Sequence, residues 1–289
     1  MNKIIKTNQK TILSIMDKNQ IITLLFIISY SVIQLFSYSV FGQTKNQRDA
    51  EKRKQGYWEA VDKSGMPVYR GYFKDDKPVG EMKRFFPTGE LRLILNYDST
   101  STFAKVRFFL PNGRLAAQGN YIENKRDSIW IFYNQAQNIS SKVEYKAGKR
   151  NGLEQKYYSN GFLAEETNWK DEEKDGEWKQ YFNNGQLKLK TTYINGKIEG
   201  AYTSFYFDGK KEIEGAYNNG IPDGDWIRYD INGNYAATIK YDKGRITNLE
   251  DLDENDQISF TKWMENDQGI PEPTVEDLIR EAQEAKMSL

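Results

Sequence analysis

A 24-residue offset places Gly56, Gly80, Gly152, Gly176, Gly200 and Gly224 of this 289-residue chain in one column, with Ala104 and Ser128 in the two remaining slots. Eight units therefore run from Gly56 to Thr247 without an insertion. A unit this short cannot enclose a core. Neighbours must bury one another's apolar faces, and the body must be a quasi-one-dimensional array.

Counting the first glycine of a unit as position one, position three is aromatic at Trp58, Trp130, Trp178, Tyr202 and Trp226. Position six carries Phe85, Phe109, Tyr133, Tyr157, Tyr181, Phe205 and Tyr229. These two columns are expected to carry most of the burial. Position ten is glycine in seven units, and Asn112-Gly113, Asn160-Gly161, Asn184-Gly185, Asp208-Gly209 and Asn232-Gly233 read as hairpin turns that need positive φ. Strict alternation follows, as in Leu187, Leu189, Thr191 and Tyr193 with polar Lys188 and Lys190 between them, which predicts a strand with one buried face. A closing aromatic and a second turn at Gly148-Lys149, Gly196-Lys197, Gly220 or Gly244-Arg245 complete the unit. Each unit is thus one β-hairpin. The predicted fold is all-β, an elongated antiparallel meander of eight hairpins whose sixteen strands, at ~4.8 Å spacing, extend on the order of 75 Å.

The run Gly176, Trp178, Tyr181, Phe182, Asn184, Gly185, Leu187, Tyr193, Asn195, Gly196 and Lys197 resembles the MORN-repeat variant of bacterial proteins labelled antitoxin-like or YwqK-like. The resemblance implies hairpin repeats and a setting among scaffolds, envelope proteins, lipid-associated proteins or immunity partners. Departures cluster in the third and fourth units, where Ala104, Ser128 and Gln137 replace glycines, and a bend or an altered face is expected there.

The flanks differ from the body. Residues 1–42 read as a signal peptide or membrane anchor: Lys3, Lys6, Lys10 and Lys18 precede an uncharged apolar stretch at residues 21–41, and Val40, Phe41, Gly42 and Gln43 follow the cleavage-site order. This ending resembles signal peptides common among Bacteroidetes. Residues 43–55 read as a linker, and export to the periplasm or cell surface is expected, with membrane contact only if the N-terminal segment is retained. The tail, residues 248–289, holds 12 Asp/Glu against 3 Lys/Arg. Within it Thr274 opens a predicted short helix with Val275, Leu278, Ile279 and Ala282 on one face, above Phe260 and Trp263. That helix either caps the last hairpin or docks on a partner.

The chain has no histidine and no cysteine, which removes imidazole bases, thiol nucleophiles, disulfides and the usual zinc, copper and iron ligand sets. Asp251, Asp253, Asn255 and Asp256 approach a calcium loop, but Asp256 stands where that loop needs glycine and Lys262 where it needs a carboxylate. No metal or cofactor is expected. The adjacent pairs Glu165-Glu166 and Glu172-Glu173 read as solvated surface, so no catalytic constellation emerges and an enzyme is not expected. The repeat body is close to charge balance and shows no basic stripe, which argues against nucleic acid.

These features predict an exported, non-enzymatic protein-binding or scaffold module of the cell envelope, with an envelope protein as partner. The alternatives are recognition of glycan or peptidoglycan, a polysaccharide ligand held by exposed aromatic side chains, and toxin immunity of the antitoxin-like kind. The candidate binding residues are Tyr158, Phe182 and Tyr206, each just after a position-six aromatic, together with Trp263, Leu278 and Ile279 of the tail. Neighbours in a strand point to opposite faces, so one of each aromatic pair should be less buried unless a bulge intervenes.

Overall fold

The computed structural model describes residues 44–252. The apolar segment at residues 21–41 and the tail residues Trp263, Leu278 and Ile279 lie outside them. Among the described residues eighteen strands form one sheet, and each strand pairs antiparallel with its neighbours in sequence, from Gln47–Arg48 at one end to Arg245–Ile246 at the other. The meander is open. Its two additional strands are short end pieces: the segment expected as a linker pairs Gln47 and Arg48 with Gln55 and Lys54. At the far end Thr247 and Asn248 hydrogen-bond back to the Tyr235–Asp242 strand, and Leu252 is buried on the last hairpins.

The two turns of a unit differ in chemistry. At the Asn-Gly turns glycine alone takes positive φ, as at Gly161 (88°) and Gly185 (86°). The Tyr158 N–H donates to the Phe162 carbonyl and the Gly161 N–H to the Tyr158 carbonyl, each at 2.9 Å, a three-residue loop closed by a left-handed glycine. Asn160 contributes through its side chain, which accepts from the Phe162 N–H at 3.2 Å. The tight two-residue turn with two positive φ values is instead the second one, Asn195 (49°) and Gly196 (77°). Glycine is dispensable there, since Asp171 and Glu172 adopt the same angles.

The defining glycine column is a bulge. Pairing shifts register where Gly152, Gly176, Gly200 and Gly224 sit, all with positive φ. Such a residue twists the strand and favours glycine. Ser128 keeps the bulge at φ 60°, whereas Ala104 abolishes it, and Phe103–Phe109 pairs with Leu91–Tyr97 without interruption. The third and fourth units therefore depart in opposite ways.

Position three is the core column. Trp130, Trp178, Tyr202 and Trp226 are each at most 1% exposed. Two of them lie over glycine: a Cβ on Gly119 or Gly215 would stand 2.5 Å or 2.3 Å from the facing indole. That close approach lets the Trp130 and Trp226 indole N–H groups donate to the Asn120 and Ala216 carbonyls at 3.1 Å. Thr167 pairs with Trp178, whose indole nitrogen is buried without a hydrogen-bond partner.

Position six departs from its expected role. Trp178 and Tyr181 stand three residues apart in the Glu173–Tyr181 strand, so plain alternation places the position-six aromatics on the opposite, polar face of the sheet from position three. They are half-buried there, and their hydroxyls meet the preceding unit: Tyr181 donates to Glu166 at 2.7 Å, Tyr133 accepts from Gln118 at 2.7 Å, and Tyr229 donates to Glu214.

Candidate binding site

The apolar core is not continuous. One cluster runs from Met82 to Tyr145 and a second from Trp178 to Leu252, and the fifth unit between them is polar inside. Glu154 occupies the tryptophan column at 1% exposure, beside buried Lys156, Glu165 and Thr167. The Lys156 ammonium lies 3.2 Å from Glu165 and 3.7 Å from Glu154. Thr167 donates to Glu165 at 3.1 Å, and the Trp169 indole donates to Glu154 at 2.6 Å. Buried charges persist only when partnered in this way. The seam is structural: it is closed by its own side chains.

The surface offers a different site between the sixth and seventh units. Leu189 and Tyr202, both buried in the second apolar cluster, floor a groove of about 330 Å³. One wall is aromatic. Phe182 meets Phe207 edge to face with ring centroids 5.3 Å apart, and Phe207 is 56% exposed. The rest of the lining is polar, with Gln180 and Ser204 on the strands either side of Leu189 and Lys188 and Glu212 beside them. Alanines at Ala116, Ala164 and Ala236 fill the repeat position held here by Lys188 and Glu212, so the longer side chains are what give this groove its polar lining.

Charge in the groove is balanced. Burial raises the Glu212 carboxyl above the usual range, opposed by a 3.2 Å hydrogen bond from Ser204 and by the fields of Lys188 and Arg228. Burial also raises the Tyr206 phenol, with a further push from Glu212. The Tyr206 hydroxyl is already committed, donating to the Tyr229 carbonyl of the next unit at 2.8 Å.

Two of the expected binding residues, Phe182 and Tyr206, thus line one groove. Tyr158 does not: its hydroxyl donates to the Tyr181 carbonyl at 2.7 Å, and burial followed by the Glu165 field raises its phenol. All three are half-buried, and so are the position-six aromatics beside them, so neither member of each pair is clearly the less buried one. Phe207, Lys188 and Glu212 were absent from the sequence-derived set. Their signal was a local departure from the repeat consensus, long polar residues at a small-residue position and an extra aromatic after Tyr206.

Residues 78–99, 150–171, 174–195 and 198–219 match the model of the MORN repeat variant. These four segments are similar to MORN-type repeats. Repeats of this kind generally serve as protein-binding or membrane-binding modules, and a repetitive β-meander fits a non-catalytic part. No curated protein matches the chain. Among solved structures it is similar to a point mutant of S. aureus TarM in complex with fondaparinux, alpha-GlcNAc-glycerol and UDP, at 13% identity and a TM-score of 0.22, over 50% of this chain and 21% of that one. It is also similar to the TcdB2-TccC3 structure, at 11% identity and a TM-score of 0.20, over 72% of this chain and 15% of that one. The chain spans about a fifth or less of those structures, and neither likeness amounts to a shared overall fold. Among the described residues no cluster of acidic side chains is arranged to hold a metal, and no helix is long and apolar enough to cross a membrane.

Proposed function

We propose that this protein is an exported, non-enzymatic MORN-type module that binds or scaffolds another protein of the cell envelope. One observation carries the reading: the polar face of the sheet is a repeated, pre-organised surface. Its half-buried aromatics are held by side chains of the neighbouring unit, as in the Tyr181–Glu166 and Tyr133–Gln118 hydrogen bonds. A surface fixed before encounter loses little conformational entropy on docking, and tyrosine supplies contact area with few rotamers to freeze. Toxin immunity would be one instance of the same protein binding. Export rests on the order of charged, apolar and small residues at 1–42.

The test is mild crosslinking of the native protein in membranes, followed by purification and mass spectrometry, with wild type beside a Tyr133→Ala/Tyr181→Ala variant. A single stoichiometric envelope protein, recovered with wild type and depleted with the variant, is the expected result. Equal recovery with both proteins, or no partner above background, would overturn the assignment to this face.

A further inference from the structure

We infer that the groove between the sixth and seventh units is a binding subsite for a neutral sugar ring, one pyranose of a polysaccharide chain. The subsite lies on the core side of the sheet and stands independently of the protein-binding face.

The wall chemistry selects the ligand. Phe207 and Phe182 present aromatic surface to the groove, while Gln180, Lys188, Ser204 and Glu212 add hydrogen-bonding groups to its lining. A pyranose combines the same two kinds of surface, with C–H groups on its faces and hydroxyls around its rim. Its hydroxyls both donate and accept, matching a lining that contains an ammonium donor, a carboxylate and two groups able to do either. A purely apolar side chain would bury the hydrogen-bonding capacity that the Ser204–Glu212 and Gln180–Glu165 bonds leave unused.

Charge argues for neutrality. A cationic ligand would approach Glu212 against Lys188 and Arg228, whose fields already act on that carboxylate. An anionic one would meet Glu212 and Asp230, both of which act on the Tyr206 phenol. With both signs in place, neither a basic peptide nor a uronate is favoured over an uncharged ring. The size agrees: about 330 Å³ lies at the small end of the ~300–1,000 Å³ typical of ligand pockets and suits a sugar ring or two. The floor is rigid, since Leu189 and Tyr202 belong to the packed core and the Tyr206 hydroxyl is tied to the next unit.

The experiment is a titration of the full chain, followed by NMR or calorimetry, with three probes: a neutral gluco-oligosaccharide, an N-acetylglucosamine oligomer and an oligogalacturonate. A Lys-rich peptide serves as the cationic control. Binding of one or both uncharged oligosaccharides, weakened about tenfold or more by Phe207→Ala and by Glu212→Ala, is expected. The two uncharged probes distinguish a plain glycan from an N-acetylated, peptidoglycan-like source. Phe207 is exposed, so its variant should keep the wild-type melting temperature, and Lys190→Ala in a neighbouring strand should bind as wild type does. No saturable binding of either uncharged oligosaccharide, tighter binding of the peptide or the oligogalacturonate, or binding unchanged in Phe207→Ala would each overturn the assignment. Crosslinking to an envelope protein leaves this result untouched, so the two proposals fail separately.

Discussion

Replacing Lys156 with methionine should cost more stability than any conservative change on the surface of this sheet. Lys156 stands between two carboxylates, 3.2 Å from Glu165 and 3.7 Å from Glu154, and their side chains are 3% and 1% exposed. Methionine matches the length of the lysine stem but removes the charge that compensates both acids. Breaking a buried ion pair from one side typically costs about 3–5 kcal/mol, because the remaining charge keeps its desolvation penalty. Replacing the whole seam is a different operation. The third unit carries Val106, Phe108 and Ala117 at the positions of Glu154, Lys156 and Glu165, and Phe108 faces Ala117 across the strands as Lys156 faces Glu165. The triple variant Glu154→Val, Lys156→Phe, Glu165→Ala therefore transplants a packing this fold already contains. It forfeits the Trp169–Glu154 hydrogen bond, roughly 1.5–3 kcal/mol for a bond to a charged group, but removes every buried charge of the seam. It should come out within about 2 kcal/mol of wild type, and well above Lys156→Met. Urea unfolding followed by tryptophan fluorescence measures both, and the seam's position between the two apolar clusters predicts a broader transition for the single variant. A Lys156→Met variant within about 1 kcal/mol of wild type, or a triple variant less stable than the single one, would refute the account of the seam.

Other expectations follow from the same geometry. Ser128 holds a left-handed bulge at φ 60°, so Ser128→Gly should raise stability by about 1 kcal/mol in urea unfolding. Gly119→Ala would place a Cβ 2.5 Å from the Trp130 ring, and thermal melts should show a loss of about 1–3 kcal/mol, with a similar loss for Gly215→Ala against Trp226. Trp226→Ala should cost about 3–5 kcal/mol, since the ring is fully buried and its cavity is walled by Tyr202, Tyr217 and Tyr241. The raised Glu212 carboxyl means that the native state holds its proton more tightly than the unfolded chain. Its contribution to stability is therefore fully present below the unfolded value and is lost as pH rises through the folded one. Glu212→Gln should accordingly gain midpoint over wild type on going from acid to neutral pH, and a gain that shrinks with rising pH would contradict the burial assigned to this group.

Much of the fold was legible because the backbone imposes it. A left-handed bulge once per unit leaves a glycine column, and a hairpin needs turn residues at fixed spacing, so the eight-unit meander could be read from Gly56 to Gly224. The face of each aromatic was not legible to the same degree. Position six looked like core, since large side chains at fixed positions usually are, but it stands three residues after the buried position three of the same strand, and that odd spacing points it to the opposite face. The turn types were not legible either: Asn-Gly suits a two-residue turn, yet here the asparagine serves through its side chain and only glycine is left-handed. The polar seam was written at Glu154, an acid in the tryptophan column, and could have been found by tabulating departures from the consensus. Its neighbour Glu165 had read as solvated surface, because an acidic pair in a strand does not say which member faces inward; Glu165 is buried and Glu166 is partly exposed. The groove depended on which side chains meet across adjacent units. Phe182 and Tyr206 could be chosen one at a time, but Phe207 and Glu212 become partners only once the strands are in register.

The pairing of each strand only with its immediate neighbours also governs the order in which this chain can acquire its structure. In folds that close a barrel, the first strand waits for the last before its edge is satisfied. Here each hairpin finds its partner in the hairpin just made, and loop closure never spans more than a short stretch of chain. A chain of this kind can fold in the sequence in which it emerges, whether from a ribosome or from the far side of a membrane channel. Each arriving unit covers the open edge left by the one before, and the emerging segment is never long without a surface to join.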